Sequence, residues 1–238
     1  MYLEGIVVCY QFDDYLQETL PHNKLLFDRL IVLVPPEDKA CQKVCEDCGV
    51  ECFTTSVFDT DKGIFRKGAG INEGLGILSK KDWVLHIDVD IWLPPSMRDI
   101  LEKEELDKTF LYGAERYMVV GRENWERFKE SQESKSEIFQ YSRDEARLGS
   151  RFQMDPTTFC FTQEQPLPIG FFQMWNPEAS GVKTYPGFDE FSADDDLLLT
   201  RQWPVEKRRM FDSFIVYHLA ADGDERGANW KGRKTKRF

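Results

Sequence analysis

Apolar residues along this chain gather in short, nearly continuous runs, separated by stretches whose hydrophobic positions recur at helical spacing. Gly5 to Tyr10 (GIVVCY) and Leu30 to Val34 (LIVLV) have strand length and are apolar on both faces, as strands buried inside a sheet are. Between them, Gln17 to Phe27 (QETLPHNKLLF) reads as a helix in which Pro21 marks a kink or the start. After Pro35 and Pro36, Cys41, Val44, Cys45 and Cys48 form one helical stripe, with Gly49 as its cap. Val50 to Thr54 predicts a short strand, and Ile64 to Leu78 (IFRKGAGINEGLGIL) a glycine-bearing helix. Trp83 to Pro95 (WVLHIDVDIWLPP) predicts a central strand stopped by Pro94 and Pro95. This strand–helix alternation implies a parallel sheet with right-handed crossovers, an arrangement common to nucleotide-binding folds.

Further on, Phe110 to Val120 predicts a bent strand or a strand pair, and Pro168 to Trp175 and Phe214 to Tyr217 further strands. Gly121 to Arg151 is highly charged, with Trp125 and Phe128 at helical spacing. It reads as a solvated helix and loop, or more sharply as a lid over an acceptor site. There is no internal repeat and no linker, so residues 1–238 are expected to form one domain.

Composition narrows the partners. The 238 residues are 41% hydrophobic and 31% charged, with a net charge of −11. That balance describes a globular chain and argues against a surface built for nucleic acid or anionic membrane. The exception is Arg226 to Phe238, with six basic residues and no acid. No apolar run approaches the roughly eighteen residues of a membrane helix, and no basic leader precedes the first apolar stretch, so a cytosolic location is expected. Cys41, Cys45, Cys48 and Cys52 invite a metal reading, but their helical register favours a core stripe of small hydrophobes.

The chemistry concentrates in a few places. In the Trp83–Pro95 run side chains alternate between faces, placing His86, Asp88 and Asp90 on one side, with the acids at the sheet's carboxyl edge. Two acids ending an apolar strand are costly to bury unless something positive sits between them, and a hard divalent cation carrying a phosphorylated ligand is the natural candidate. Asp194, Asp195 and Asp196 stand together in FSADDDLLLTRQW, where Ser192 would cap a helix whose first turn holds them. Mutual repulsion among three carboxylates suits one of them to general-base work. Tyr217-His218 ends an apolar run, and Lys231 and Arg233 in GANWKGR are suited to phosphate oxygens. Arg66, Lys67 and Asn72 in the glycine-bearing helix read either as meeting a diphosphate or a base, although no Walker loop is present, or as part of a tightly packed helix with a solvated basic start.

Taken in order, a D-x-D after alternating β and α elements, the preceding KGAGINEGL segment, the late ADDDLLLTR run and Tyr217-His218 resemble the GT-A fold of nucleotide-sugar glycosyltransferases, in particular the β-1,4-galactosyltransferase-like branch. The resemblance implies an α/β fold with a mixed, mainly parallel sheet flanked by helices, its donor-binding half at about 1–95 and its acceptor and catalytic half at about 96–238. It implies that Asp90, helped by Asp88 and His218, holds Mn²⁺ or Mg²⁺ on the diphosphate of a nucleotide-sugar donor, a UDP-sugar being favoured. Lys231 and Arg233 would add to that clamp, and Tyr10 and Asp13 would lie near the nucleoside. One of Asp194, Asp195 and Asp196 would deprotonate the acceptor hydroxyl, with inversion at the anomeric carbon; Ala193 stands where that branch has an acid, so the choice among the three stays open. Phe171, Phe172 and Trp175 would line the sugar or acceptor pocket. The acceptor would be a glycan, a metabolite or, given the basic tail, a modified nucleobase in DNA. The rivals are a haloacid-dehalogenase-like phosphatase, a nucleotidyltransferase and a non-catalytic nucleotide-binding module.

Overall fold

Why β1 (Leu3–Val8) sits inside the sheet follows from its two apolar faces: Ile6 and Val8 point to one side, Val7 and the following Cys9 to the other. In the computed structural model, residues 1–58, 65–133, 154–155, 166–187, 192–221, 233 and 235–238 are described. β2 (Arg29–Val34) repeats the alternation, Ile31 and Leu33 against Val32 and Val34. On the Ile6 side lie α3 (Lys67–Ile77), through Ile71 and Leu75, and an acidic helix, Ser192–Arg201, through Leu199. On the Val7 side lie α1 (Asp13–Asn23), through Leu16 and Leu20, α2 (Lys39–Cys48), through Cys41 and Cys45, and α4 (Met97–Lys103), through Met97 and Leu101. Gly49 ends α2 in the left-handed region at φ 63°, where glycine carries no steric penalty.

β3 (Glu51–Thr54), β2, β1 and β4 (Trp83–Ile87) are parallel neighbours in that order. Beyond β4 the sheet turns mixed. β8 (Phe172–Trp175) is antiparallel to β4 and to β6 (Leu111–Val120); β9 (Arg208–Ala220) runs parallel to β6 and antiparallel to β5 (Ile91–Trp92). β7 (Met154–Asp155) pairs with β6. A register shift at Ala114/Glu115 bends the long β6–β9 ladder. Past that bend, Trp125 and Phe128 of α5 (Arg122–Glu133) pack into an aromatic cluster with Trp92 and Tyr217.

Three expectations need correction. The Trp83–Pro95 run is not one strand: β4 stops at Ile87, residues 88–90 turn, and only Ile91 and Trp92 resume extended pairing, on β9. The alternation of apolar residues continues through the turn, so the sequence hides the break. The first helix begins at Asp13 rather than Gln17, and Pro21 lies in its final turn, so only one late helical hydrogen bond is lost. The glycine-bearing helix begins at Lys67, not Ile64. The loop expected after α5, 134–150, lies outside the described residues.

Candidate functional site

Strand pairing, not sequence proximity, assembles the first part of the site. Ile91 pairs with His218 across β5 and β9, and the Leu219 N–H donates to the Asp90 carbonyl at 2.8 Å. His218 Nε2 therefore lies 3.0 Å from Asp90 Oδ2. Burial acts to raise the Asp90 pKa, but the His218 imidazole, with Arg116 behind it, brings it below the usual carboxylate value. Asp90 Oδ1 and His218 Nδ1 are buried with no hydrogen-bond partner. Orphaned buried atoms of this kind call for a ligand. Asp90 Oδ2 and His218 Nε2, 3.0 Å apart, are a carboxylate oxygen and an imidazole nitrogen close enough to share one divalent cation. Among the described residues no three His, Cys, Asp or Glu side chains are grouped closely enough to hold a metal by themselves. The pair thus fits a cation that keeps most of its coordination for waters and phosphate oxygens, as Mg²⁺-type sites do.

The second part is built around Lys67, at the first turn of α3. Its Nζ lies 2.7 Å from Asp88 Oδ1 and 3.1 Å from Asp196 Oδ1, and donates to the Gly170 carbonyl at 3.4 Å. Burial works to lower the Lys67 pKa, but the two carboxylates raise it, so the ammonium is firmly protonated. Asp88 is pushed up to about 6: burial raises it, Lys67 draws it down, and the nearby charges of Asp196 and Asp90 raise it again. Tyr185 Oη sits 2.6 Å from Asp196 Oδ1 and 2.6 Å from Gln173 Oε1. Burial and then the Asp196 charge push its hydroxyl well above the ordinary tyrosine value, so it stays protonated, with one hydrogen to share between the two acceptors. Gly170 is where Asp196 needs space, since a Cβ there would fall inside the Asp196 carboxyl group.

The aspartate triplet separates into distinct roles. Asp195 is fully buried, and its Oδ2 accepts the Gly68 N–H at 3.2 Å. The N-cap residue of α3, Arg66, makes no side-chain cap, so Asp195 supplies that cap from another helix. Asp196 is partly exposed and ion-paired with Lys67. The Asp194 side chain lies outside what is described.

Other expected residues are placed variously. Asn72 is clamped to the Tyr185 backbone, its Nδ2 donating to the carbonyl at 2.7 Å and its Oδ1 accepting the N–H at 2.8 Å. Tyr10 lies with its ring 6.3 Å from that of Phe65, at the residue just before Arg66. Arg233 makes a two-pronged ion pair with Asp14, and Arg237 pairs with Asp13, so the chain's basic end folds back onto the start of α1. Lys231 is outside the described residues. Phe171 is covered by the Arg116 guanidinium, 4.5 Å from its ring centre. Phe172 and Trp175 require correction: both are fully buried in the sheet's cores, with no surface for an acceptor. Sequence reasoning missed Tyr185, Gln173 and Gly170; no local pattern marks them, because their role comes from contacts with Asp196 on another element.

No protein-family model and no curated protein matches the chain. Among solved structures, a mycobacterial protein superposes along 100% of this chain and 68% of its own, at 13% identity and a TM-score of 0.52. Glucosyl-3-phosphoglycerate synthase from Mycobacterium tuberculosis, in complex with Mn²⁺, UDP and glucosyl-3-phosphoglycerate, covers 91% of this chain and 71% of its own, at 13% identity and 0.48. Mannosyl-3-phosphoglycerate synthase from Rubrobacter xylanophilus matches 49% of this chain at 16% identity and 0.38, and the match spans only 41% of that enzyme. At such identities the likeness speaks to fold alone. The fold is a mixed α/β sheet flanked by helices, as expected.

Proposed function

We propose that this chain is a nucleotide-sugar glycosyltransferase whose reaction centre lies where the turn after β4 faces the acidic helix. The observation that carries the reading is the Lys67 ammonium, which joins Asp88 of that turn to Asp196 of the helix beside the Asp90–His218 pair. Asp90 and His218 would hold Mn²⁺ or Mg²⁺, with Asp88 beside them on the donor, in a donor half of about 1–95 extended by β9. When bound, the cation neutralises charge growing on the departing nucleoside diphosphate. Asp196 is the base of the triplet, because Asp195 is committed to capping α3 and Asp196 is the partly exposed carboxylate facing Asp88. It takes the proton of an acceptor hydroxyl as that oxygen bonds to the anomeric carbon and the diphosphate leaves, a displacement that inverts the centre. Tyr185 and Lys67 keep the Asp196 carboxylate oriented. A base so placed contributes roughly a hundred- to ten-thousand-fold. The acceptor is a hydroxyl-bearing glycan or metabolite. A DNA acceptor draws less support, since two of the tail's arginines are engaged with Asp13 and Asp14.

The test is thermal stability with nucleoside diphosphates and sugar nucleotides, with and without Mn²⁺, followed by turnover of the sugar nucleotide that binds. UDP or another diphosphate with Mn²⁺ raises the melting temperature, and Asp90→Ala removes the rise; ligand at a hundred times its Kd stabilises by about 2.7 kcal/mol. A shift equal in the absence of metal, or phosphate release from simple phosphoesters without any sugar nucleotide, overturns the reading.

A further inference from the structure

α1 carries an unusual buried face. Thr19 and Asn23, one helical turn apart, are each about 2% exposed, on the side that also bears Tyr15 and His22. Polar groups at such positions cost stability unless bonded, and among the described residues the side-chain bonds of Thr19, His22 and Asn23 to another element go to one pentapeptide, 89–93. Thr19 Oγ1 donates to the Val89 carbonyl at 2.8 Å. Asn23 Nδ2 donates to the Ile91 carbonyl at 2.7 Å, and its Oδ1 accepts the Leu93 N–H at 3.0 Å. His22 Nε2 lies 2.8 Å from the Leu93 carbonyl, and its ring stacks on Trp92 at 4.2 Å. On its other edge the same segment is held by β9, through Asp90 and the Ile91 and Trp92 pairing.

We infer that Thr19 and Asn23 are positioning residues for the cation site, standing in for the sheet neighbour that residues 89–93 lack on the α1 side and so fixing Asp90 against His218. The inference rests on the metal reading proposed above. An apolar helix face would have packed the segment equally well, but it would have left the Val89 and Ile91 carbonyls buried without donors, and the turn free to move Asp90. Partners that orient a ligand typically change metal affinity by about 10- to 100-fold when removed.

The experiment measures Mn²⁺ affinity directly, from the electron paramagnetic resonance signal of the free ion, in the presence of UDP, alongside the melting temperature. Thr19→Val is nearly isosteric and removes only the donor, Thr19→Ser restores it, and Asn23→Ala is the second variant. Leu20→Ala, on the core side of the same helix, is the stability control. The expected result is Mn²⁺ binding weakened about tenfold or more in Thr19→Val and Asn23→Ala, recovered in Thr19→Ser, and unchanged in Leu20→Ala although its melting temperature falls. Should Asn23→Ala fail to fold, the Thr19→Val and Thr19→Ser pair decides. Mn²⁺ affinity in Thr19→Val equal to wild type overturns the positioning role and leaves the metal reading standing. A wild-type chain that takes up no Mn²⁺ overturns both.

Discussion

Asp195 Oδ2 accepts the backbone N–H of Gly68, so the first turn of α3 is capped by a carboxylate 127 residues further along the chain. The neighbouring carboxylate, Asp196, turns instead to Lys67, at the first position of the same helix. Adjacent aspartates thus bind adjacent residues of one helix. Asp195→Ala should therefore cost about 1–2 kcal/mol of stability, the usual loss for a helix cap. Asp196→Asn should leave urea stability within about 1 kcal/mol of wild type and lower turnover of the bound sugar nucleotide by a hundredfold or more. If Asp195→Asn abolishes turnover while Asp196→Asn spares it, the assignment of the base is reversed.

Gly170 and Gly76 separate a site effect from a helix effect. A methyl on Gly170 has no space beside the Asp196 carboxyl, whereas one on exposed Gly76 in α3 meets nothing within 4 Å. Gly170→Ala should displace Asp196 and lower kcat/KM by about a hundredfold, as small misplacements of reacting groups do. Gly76→Ala should leave turnover unchanged and stabilise α3 by about 0.5–1 kcal/mol. Paired turnover and thermal measurements on both variants check this, and equal turnover in the two defeats it.

Lys67 is the shared counter-ion of Asp88 and Asp196, and a double-mutant cycle can weigh it. Lys67→Met removes the positive charge and leaves two facing carboxylates. Breaking a fully buried pair costs about 3–5 kcal/mol; here about 2–3 kcal/mol is expected, since 32% of the Asp88 side chain is exposed. Adding Asp88→Asn to Lys67→Met should recover part of the loss, giving a coupling of about 1–2 kcal/mol in urea denaturation. Strictly additive losses would mean that the ion pair carries no energy of its own.

What the sequence disclosed depended on whether the determining contact was local. The Cys41–Val44–Cys45–Cys48 stripe and Gly49 define α2 by periodicity and a left-handed cap, both contained within ten residues, and the structure matches them. β1 and β2 were equally plain, because strands buried on both faces are apolar throughout. The D-x-D turn was not. Val89 and Ile91 continue the apolar alternation, and the break after Ile87 arises because the next residues pair with β9, some 127 positions away at His218. The same distance hid the cap made by Asp195, and the clamp of Asn72 on the Tyr185 backbone spans 113 residues. Phe172 and Trp175 misled for the opposite reason: an aromatic run suits a stacking wall and a sheet core alike, and burial alone decides between them.

Acid should loosen the far side of α1 in a defined window. Glu18 accepts from Trp125 Nε1 at 2.7 Å and Lys129 Nζ at 3.0 Å, with Arg122 2.6 Å away. Burial acts to raise its pKa, but these partners hold it below the ordinary glutamate value. A carboxylate whose folded pKa is depressed stabilises fully above its unfolded pKa, about 4.3, and loses that contribution as pH falls through the lower folded value. Glu18→Gln keeps an acceptor for Trp125 but gives up the charge, so at pH 7 it should be less stable than wild type by about 1 kcal/mol. Urea denaturation across the acid range checks the sign: the difference between wild type and Glu18→Gln should hold from neutrality to about pH 5 and close below about pH 4. A difference that stays constant to about pH 3 would mean that the Glu18 charge contributes nothing, and that α5 is held to α1 by the packing of Trp125 and Phe128 alone.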